Sequence, residues 1–257
     1  MKPARTPFVT FAGAGPGAVD HLTLGVYRAL QRADVVLHDR LVGPDVLALI
    51  PHRTRKIDMG KAGFGPATPQ ATINATLVAE ALAGARVLRL KGGDPGIFGR
   101  LDEEIAACEQ AGIAFTILPG LTAASVAAAS IGQSLTKRGR NRGLRILTGF
   151  DVDGFAEQDW RGLARPGEVA AIYMAKRSAR FLQGRLMMHG AAPDTPVTLV
   201  ENVSRPDQRI LPATIATLPD AAAGLDGPAV ILLGLAPRQA APRQAAPTLT
   251  ALTEARA

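Results

Sequence analysis

The sequence predicts an α/β fold with mostly parallel strands. Three observations carry that expectation: apolar runs of strand length recur with amphipathic helical patterns between them, two early strands leave into glycine-rich turns, and a late hairpin pattern adds antiparallel strands to the second half. Residues 8–12 form the first strand and leave it through Gly13-Ala14-Gly15-Pro16-Gly17. Residues 21–33 follow an acidic start at Asp20 and place Leu22, Val26, Ala29 and Leu30 on one face, the pattern of an amphipathic helix. Residues 34–38 read as the second strand, 74–83 as a helix, and 87–90 as a strand that ends in Gly92-Gly93-Asp94-Pro95-Gly96. A helix over 101–111 and a strand over 115–118 follow.

Residues 121–131 are rich in Ala and Ser after Pro119-Gly120, which predicts a small-residue helix open to close packing, with a hinge between two parts of the chain near it. Further strands are expected at 144–147, 169–174, 197–200 and 230–233. The segment 197–218, broken by Ser204-Arg205-Pro206-Asp207, reads as a hairpin. From Ala236 the chain runs Ala-Pro-Arg-Gln-Ala twice, too poor in large apolar groups to join a core, so residues 236–257 are expected to be disordered, like residues 1–7.

Composition narrows the function. With 47% hydrophobic and 20% charged residues in 257, the chain can bury a substantial core. No apolar run approaches the roughly 20 residues that span a bilayer, and the charged start lacks a signal core, so a cytoplasmic protein without membrane contact is expected. Cys108 is the only cysteine, which leaves no disulfide framework or thiolate cluster. His21, His38, His52 and His189 lack the spacing of a helical metal site, so no metal is expected. The formal charge of +7 suggests a nucleic-acid partner only at first sight, because four of these net charges lie in the tails and residues 8–236 carry +3. Lys137, Arg138, Arg140, Arg142 and Arg145 form a dense basic run without aromatic interleaving, readable as a solvated loop or as an anion clamp.

The two glycine turns are the candidate ligand site. Glycine permits positive φ and close backbone approach, and Asp-Pro makes a stiff turn that presents one carboxylate. Gly13-x-Gly15-x-x-Ala18 fits a loose dinucleotide fingerprint, with Asp34 or Asp39 near the place of a ribose-binding acid. Against it, Pro16 removes an amide from the turn and the helical pattern resumes only near Asp20, too late for a helix N-terminus on a phosphate. An NAD- or FAD-dependent oxidoreductase is thus the distant alternative.

More of the chain fits a known family. The stretches are the turn at 13–17 with Leu22-Thr23-Leu24, residues 33–42 (ADVVLHDRLV), Gly60-Lys61, Gln70 with Ile73-Asn74, and Arg89-Leu90-Lys91-Gly92-Gly93-Asp94-Pro95. They continue with Phe98-Gly99-Arg100, Glu103-Glu104, Pro119-Gly120-Leu121-Thr122-Ala123, Leu135-Thr136-Lys137-Arg138, Leu147-Thr148-Gly149 and Tyr173-Met174. In order and over residues 8–235, the chain resembles the tetrapyrrole methylases, the uroporphyrinogen-III C-methyltransferases among them.

That resemblance implies two αβα domains, expected here at 8–120 and 121–235, with S-adenosylmethionine in the cleft between them and a homodimer as the assembly. It implies methylation of uroporphyrinogen III at C-2 and C-7 to give precorrin-2 by way of precorrin-1, for siroheme or cobalamin. Carried over by motif, cofactor contacts fall on Pro16, Gly92, Gly93, Asp94, Ile97, Thr122, Ala123, Met174, Val203 and Ala229, the proton acceptor on Asp39 and the proton donor on Lys61. The polycarboxylate substrate gives Lys137, Arg138, Arg140 and Arg142 a clamping role. Read alone, Asp39 is equally a helix N-cap or a partner of Arg40, and Lys61 a solvated charge.

The chain departs from the family pattern at Gly96, where Phe is usual, at Leu101-Asp102 in place of Gly-Gly, and at Lys137 in place of His. These positions lie on the substrate side, so a later precorrin or cobalt-precorrin C-methyltransferase is the nearest alternative.

Overall fold

The computed structural model describes residues 6–60, 68–152 and 154–238. In chain order the strands are β1 (Phe8–Gly13), β2 (Val35–His38), β3 (Arg55–Asp58), β4 (Arg86–Lys91), β5 (Ala114–Leu118), β6 (Arg145–Thr148), β7 (Phe150–Asp151), β8 (Gly154–Phe155), β9 (Ala170–Tyr173), β10 (Pro196–Glu201), β11 (Arg209–Thr214) and β12 (Ala229–Leu233). The helices are α1 (Leu24–Arg32), α2 (Pro44–Ala48), α3 (Gln70–Leu82), α4 (Leu101–Gln110), α5 (Ala123–Ser130), α6 (Trp160–Leu163), α7 (Ala179–Met188) and α8 (Leu218–Ala223). Among the described residues no helix is long and apolar enough to cross a membrane.

The first sheet has the order β3-β2-β4-β1-β5 and is parallel throughout. Both faces are covered, as a parallel sheet requires. Val26, Leu30, Val36, Leu88 and Leu90 gather on the α1 side, and Val9, Phe11, Leu37, Leu77, Val87 and Cys108 on the side of α3 and α4. Full burial of a side chain such as Leu30 or Leu77 contributes about 1.5–3 kcal/mol. Thr23 caps α1 by accepting the Val26 amide at 3.2 Å, so the helix starts at Leu24, seven residues beyond Gly17 at the end of the first glycine turn.

The second sheet has the order β11-β10-β12-β9-β6. Only its β6–β9 pair is parallel, while β10–β11, β10–β12 and β12–β9 are antiparallel. The hairpin expected over 197–218 is β10–β11. The small-residue helix is α5, capped by Thr122 and packed through Ala124, Ala127 and Ala128 on Val169, Ala171, Val230 and Leu232. The opposite face buries Trp160, Leu182, Leu199, Leu218 and Ile231 under α6, α7 and α8.

Strand register decides what meets at the edge of each sheet. Gly13 lies beside Lys91 and His38 beside Leu90, so β1, β2 and β4 all deliver their outgoing turns to one end. In the second sheet Val230 lies beside Tyr173 and Ala229 beside Glu201, so the outgoing ends of β9 and β10 and the incoming end of β12 stand abreast.

Candidate functional site

The two glycine turns are joined to each other. The Gly15 amide donates to the Gly93 carbonyl at 3.1 Å and the Gly93 amide to the Gly15 carbonyl at 2.8 Å, an antiparallel bridge beyond the strand ends. Gly15 (φ +67°) and Gly93 (φ +71°) need the left-handed backbone there. Gly13, Gly93 and Gly120 touch backbone to backbone: a Cβ on Gly13 would lie 2.6 Å from the Gly93 oxygen, and one on Gly120 would overlap the same oxygen. Asp94 locks the corner, its carboxylate accepting the Gly96 amide at 2.8 Å and the Gly120 amide at 2.9 Å.

This corner is one wall of a cleft. Pro16, Asp39, Gly92, Gly93, Asp94, Ile97, Thr122, Ala123, Met174, Val203 and Ala229 all line it, together with Leu41, Lys91, Phe98, Tyr173 and Arg205. Every position carried over as a cofactor contact therefore faces one space, although they come from six separate stretches of chain. Non-glycine residues with positive φ gather nearby: Phe98 (49°) and Met174 (52°) line the cleft, and Arg100 (53°), Asn202 (48°) and Ser204 (60°) flank residues that do. Each such residue costs on the order of 1–3 kcal/mol and persists where the surroundings fix it, a pattern typical of ligand sites.

The side-chain chemistry is unequal. Tyr173 stacks obliquely on Phe98 at 5.4 Å between ring centroids, and its hydroxyl accepts the Ala124 amide at 2.8 Å, fixing the start of α5. Burial raises the Tyr173 phenol above its ordinary range. Thr122 spends its hydroxyl on the cap of α5, leaving backbone and methyl for the cleft. Arg205 donates from Nη2 to the Leu41 carbonyl at 2.8 Å, and its Nε is buried without a hydrogen-bond partner among the described residues. With Ser204, whose hydroxyl takes the Ala18 amide at 3.0 Å, it straps the β10–β11 turn across to the first sheet's turns.

Behind the first wall lies a buried ion network. Asp39 pairs with Arg89, Arg89 with Glu104 at 3.0 Å, and Glu104 with Lys91 at 2.7 Å. Glu104 is 0%, Arg89 1% and Lys91 3% exposed, so these charges are tolerable only because each is paired. Burial alone would lower the Arg89 value, yet Asp39 and Glu104 hold it above the ordinary range. Lys91 is lowered, by burial first and then by the Arg89 charge, against the pull of Glu104 and Asp39. Asp39 is thus neither a helix cap nor a partner of Arg40; the cap position of α2 is Gly43.

Lys61 lies outside the described residues. The basic run does not line the cleft: Lys137, Arg138 and Arg142 are exposed, and Arg140 is half-buried, donating to the Ser134 carbonyl at 2.8 Å and the Asn141 side chain at 3.0 Å. Arg140 closes its own loop. Sequence reasoning quoted Lys91 and Tyr173 only as motif members and passed over Arg205. The signal for Lys91 was present, since Arg89 and Lys91 stand in a strand whose other inner positions are apolar.

Residues 9–219 match the family described as tetrapyrrole (corrin/porphyrin) methylases. Among curated relatives, siroheme synthase 3 of Aeromonas hydrophila is 43% identical over 226 residues, covering 88% of this chain and 48% of its own. The siroheme synthase of Gluconacetobacter diazotrophicus is 44% identical over 229 residues, 88% of this chain and 49% of that one. The chain spans about half the length of the curated relatives it matches. Among solved structures, the uroporphyrin-III C-methyltransferase of Thermus thermophilus in complex with S-adenosylhomocysteine superposes with a TM-score of 0.76 at 34% identity, covering 88% of this chain and 96% of that one. A cobalt precorrin-4 methyltransferase of cobalamin biosynthesis gives a TM-score of 0.78 at 25% identity, with 88% and 94% covered.

Proposed function

Because the chain belongs to the tetrapyrrole (corrin/porphyrin) methylases, we propose that it methylates uroporphyrinogen III at C-2 and C-7 with S-adenosylmethionine, giving precorrin-2 by way of precorrin-1 for siroheme or cobalamin synthesis. The observation that carries this reading is the convergence of all the motif-assigned cofactor positions on one cleft at the outgoing strand ends of the first sheet. The cleft suits a nucleoside with a charged sulfur. Bare backbone at Gly92 and Gly93 permits close approach, Ile97, Ala123, Val203 and Ala229 supply apolar contact, and Asp39 and Asp94 supply negative charge.

The cofactor, when bound, supplies a methyl group already activated by its sulfonium, so the protein's task is chiefly positioning. Gly93 and Gly120 fix the wall on which the cofactor lies, and Asp94 holds that wall in register. Methylation makes the ring carbon quaternary, so Asp39 takes the proton that the macrocycle releases elsewhere as its double bonds rearrange, and Lys61 is assigned as the proton donor. Lys137, Arg138 and Arg142, exposed beyond the cleft, would meet the acetate and propionate groups of a macrocycle that extends past the cleft mouth; Arg140 is less suited, being engaged in its own loop. The assembly is assigned as a homodimer.

Anaerobic incubation of the purified protein with uroporphyrinogen III and S-adenosylmethionine, followed by mass spectrometry after oxidation, tests the reading. A gain of two methyl groups that needs the cofactor is expected. If S-adenosylhomocysteine binds and uroporphyrinogen III gains none, the substrate is a later corrinoid intermediate, the reading that Gly96, Leu101-Asp102 and Lys137 favour.

A further inference from the structure

Glu104 cannot touch anything in the cleft: it is fully buried on the first turns of α4, behind β4. Its carboxylate nevertheless governs both charged groups that β2 and β4 present there. It receives Arg89 Nε at 3.1 and 3.2 Å, Arg89 Nη2 at 3.0 Å, Lys91 Nζ at 2.7 Å and the Gln70 amide at 3.3 Å. Arg89 Nη2 is shared between Glu104 and Asp39, while Nη1 points at the Leu37 and Leu90 carbonyls at 3.5 and 3.4 Å. The guanidinium is therefore held at every nitrogen, and a planar fork held that way can aim a carboxylate.

Stability gives no reason for such a cluster. Replacing a buried ion network by apolar groups of similar volume is often neutral or stabilising, whereas removing one member is costly. What the network does achieve is visible at its ends. Asp39 and Lys91 both line the cleft, and the four charges cancel only while Asp39 is ionised. A proton on Asp39 leaves one uncompensated positive charge behind the wall. Among the described residues, the other charged or titratable groups facing the cluster are Arg100 and Cys108 toward Glu104 and Glu103 toward Lys91, on or beside α4, and His38, whose Nδ1 lies 3.4 Å from the Asp39 carbonyl oxygen.

Resting on the methyl-transfer reading above, we propose that Glu104 is a positioning residue for that reaction: through Arg89 it aims the Asp39 carboxylate into the cleft, and directly it anchors Lys91 as a second charged group on the same wall. Lys91 thereby joins Asp39 as a charged residue in the cleft wall.

The test compares Glu104→Gln, Asp39→Asn and the double variant. Glu104→Gln keeps shape and hydrogen bonding and removes the charge, so S-adenosylhomocysteine affinity by calorimetry stays within about 3-fold while kcat falls roughly 100-fold, the scale of a misplaced catalytic group. The alkaline limb of the kcat/KM profile moves to lower pH, because Lys91 loses the carboxylate that holds its proton. The double variant is no slower than Asp39→Asn alone. In the ligand-free protein, the carboxyl carbon resonance of Asp39, assigned by its absence in Asp39→Asn, changes its chemical shift in Glu104→Gln, because the Arg89 fork that holds it is released. Additive losses, an alkaline limb that stays in place with kcat reduced equally at all pH, or an unmoved Asp39 resonance each overturn the proposal. Should Glu104→Gln not fold, Arg89→Lys keeps the charge and removes the fork, and the same non-additivity with Asp39→Asn is required. A wild-type protein that binds cofactor yet methylates no tetrapyrrole removes the reaction reading instead, and the carbon resonance still reports whether the network holds Asp39.

Discussion

The wall that the first sheet gives the cleft carries Asp39, Lys91 and Asp94, whereas the wall from the second sheet carries Tyr173, Met174, Val203 and Ala229, with Arg205 as its cation. Topology accounts for the difference. Parallel strands all end at the same edge, so β1, β2 and β4 pile three outgoing turns, with their free amides and charges, on one spot. Antiparallel strands alternate, so β9, β10 and β12 bring two outgoing ends and one incoming end, mostly backbone corners and small apolar groups. The carboxylates therefore stand on the first wall, and the second is mostly apolar.

The sharpest way to break that division is at the glycine contact. Gly120→Ala forces a methyl onto the Gly93 carbonyl and is expected to destabilise the protein by about 3 kcal/mol and to abolish S-adenosylhomocysteine binding, read by urea unfolding and calorimetry. Val203→Ala, on the opposite wall, should cost only about 1–2 kcal/mol and leave binding detectable. A reversal of these two outcomes would show that the second wall holds the ligand. Asp94→Asn comes next: an amide accepts through one oxygen where the carboxylate accepted through two, so about 1–2 kcal/mol of stability and about tenfold in cofactor affinity should go. Arg205→Ala loosens the strap between the walls, and an effect under about tenfold on the same affinity is expected, since one hydrogen bond to a carbonyl is worth about 1 kcal/mol.

The smallest effect concerns how far the first wall's charge reaches inward. Burial first, then Glu104 and Glu109, push the Cys108 thiol up from 9.0 to about 11. The unfolded chain therefore releases this proton first, and the thiol's contribution to stability is whole below pH 9 and lost as pH climbs toward about 11. Relative to Cys108→Ala, the wild-type protein should lose stability across that interval. At pH 8 a disulfide reagent should label Cys108 at least about 100-fold faster in denaturant than in the native protein, because the thiolate is the reactive form.

What could be read from the sequence follows the same physics. The glycine turns were legible because Gly15, Gly93, Gly13 and Gly120 stand where positive φ or bare backbone contact is obligatory, and such positions leave few substitutes. The long apolar strands and α1, α3 and α4 were legible from periodicity, and α5 from its small residues after Pro119-Gly120. By contrast β3 is an edge strand of Arg55, Lys56, Ile57 and Asp58 with almost no buried side, so it offers no alternation to read. Helices α2, α6, α7 and α8 also escaped the sequence reading. The Arg89–Glu104 pair joins a strand to a helix fifteen residues on, a match that only the packed fold makes. The basic run was legible as charge but not as place, since Arg140 and Asn141 are spent on closing the loop that carries it.

The contact of Gly13, Gly93 and Gly120 also bears on redesign. Where three backbones meet without side chains, there is nothing to trim and no room to add, so that part of the pocket is closed to laboratory evolution. Libraries that seek acceptance of bulkier alkyl donors should instead be built at Met174, Val203 and Ala229, where a side chain exists to exchange and, at Met174, half of it already stands in the open.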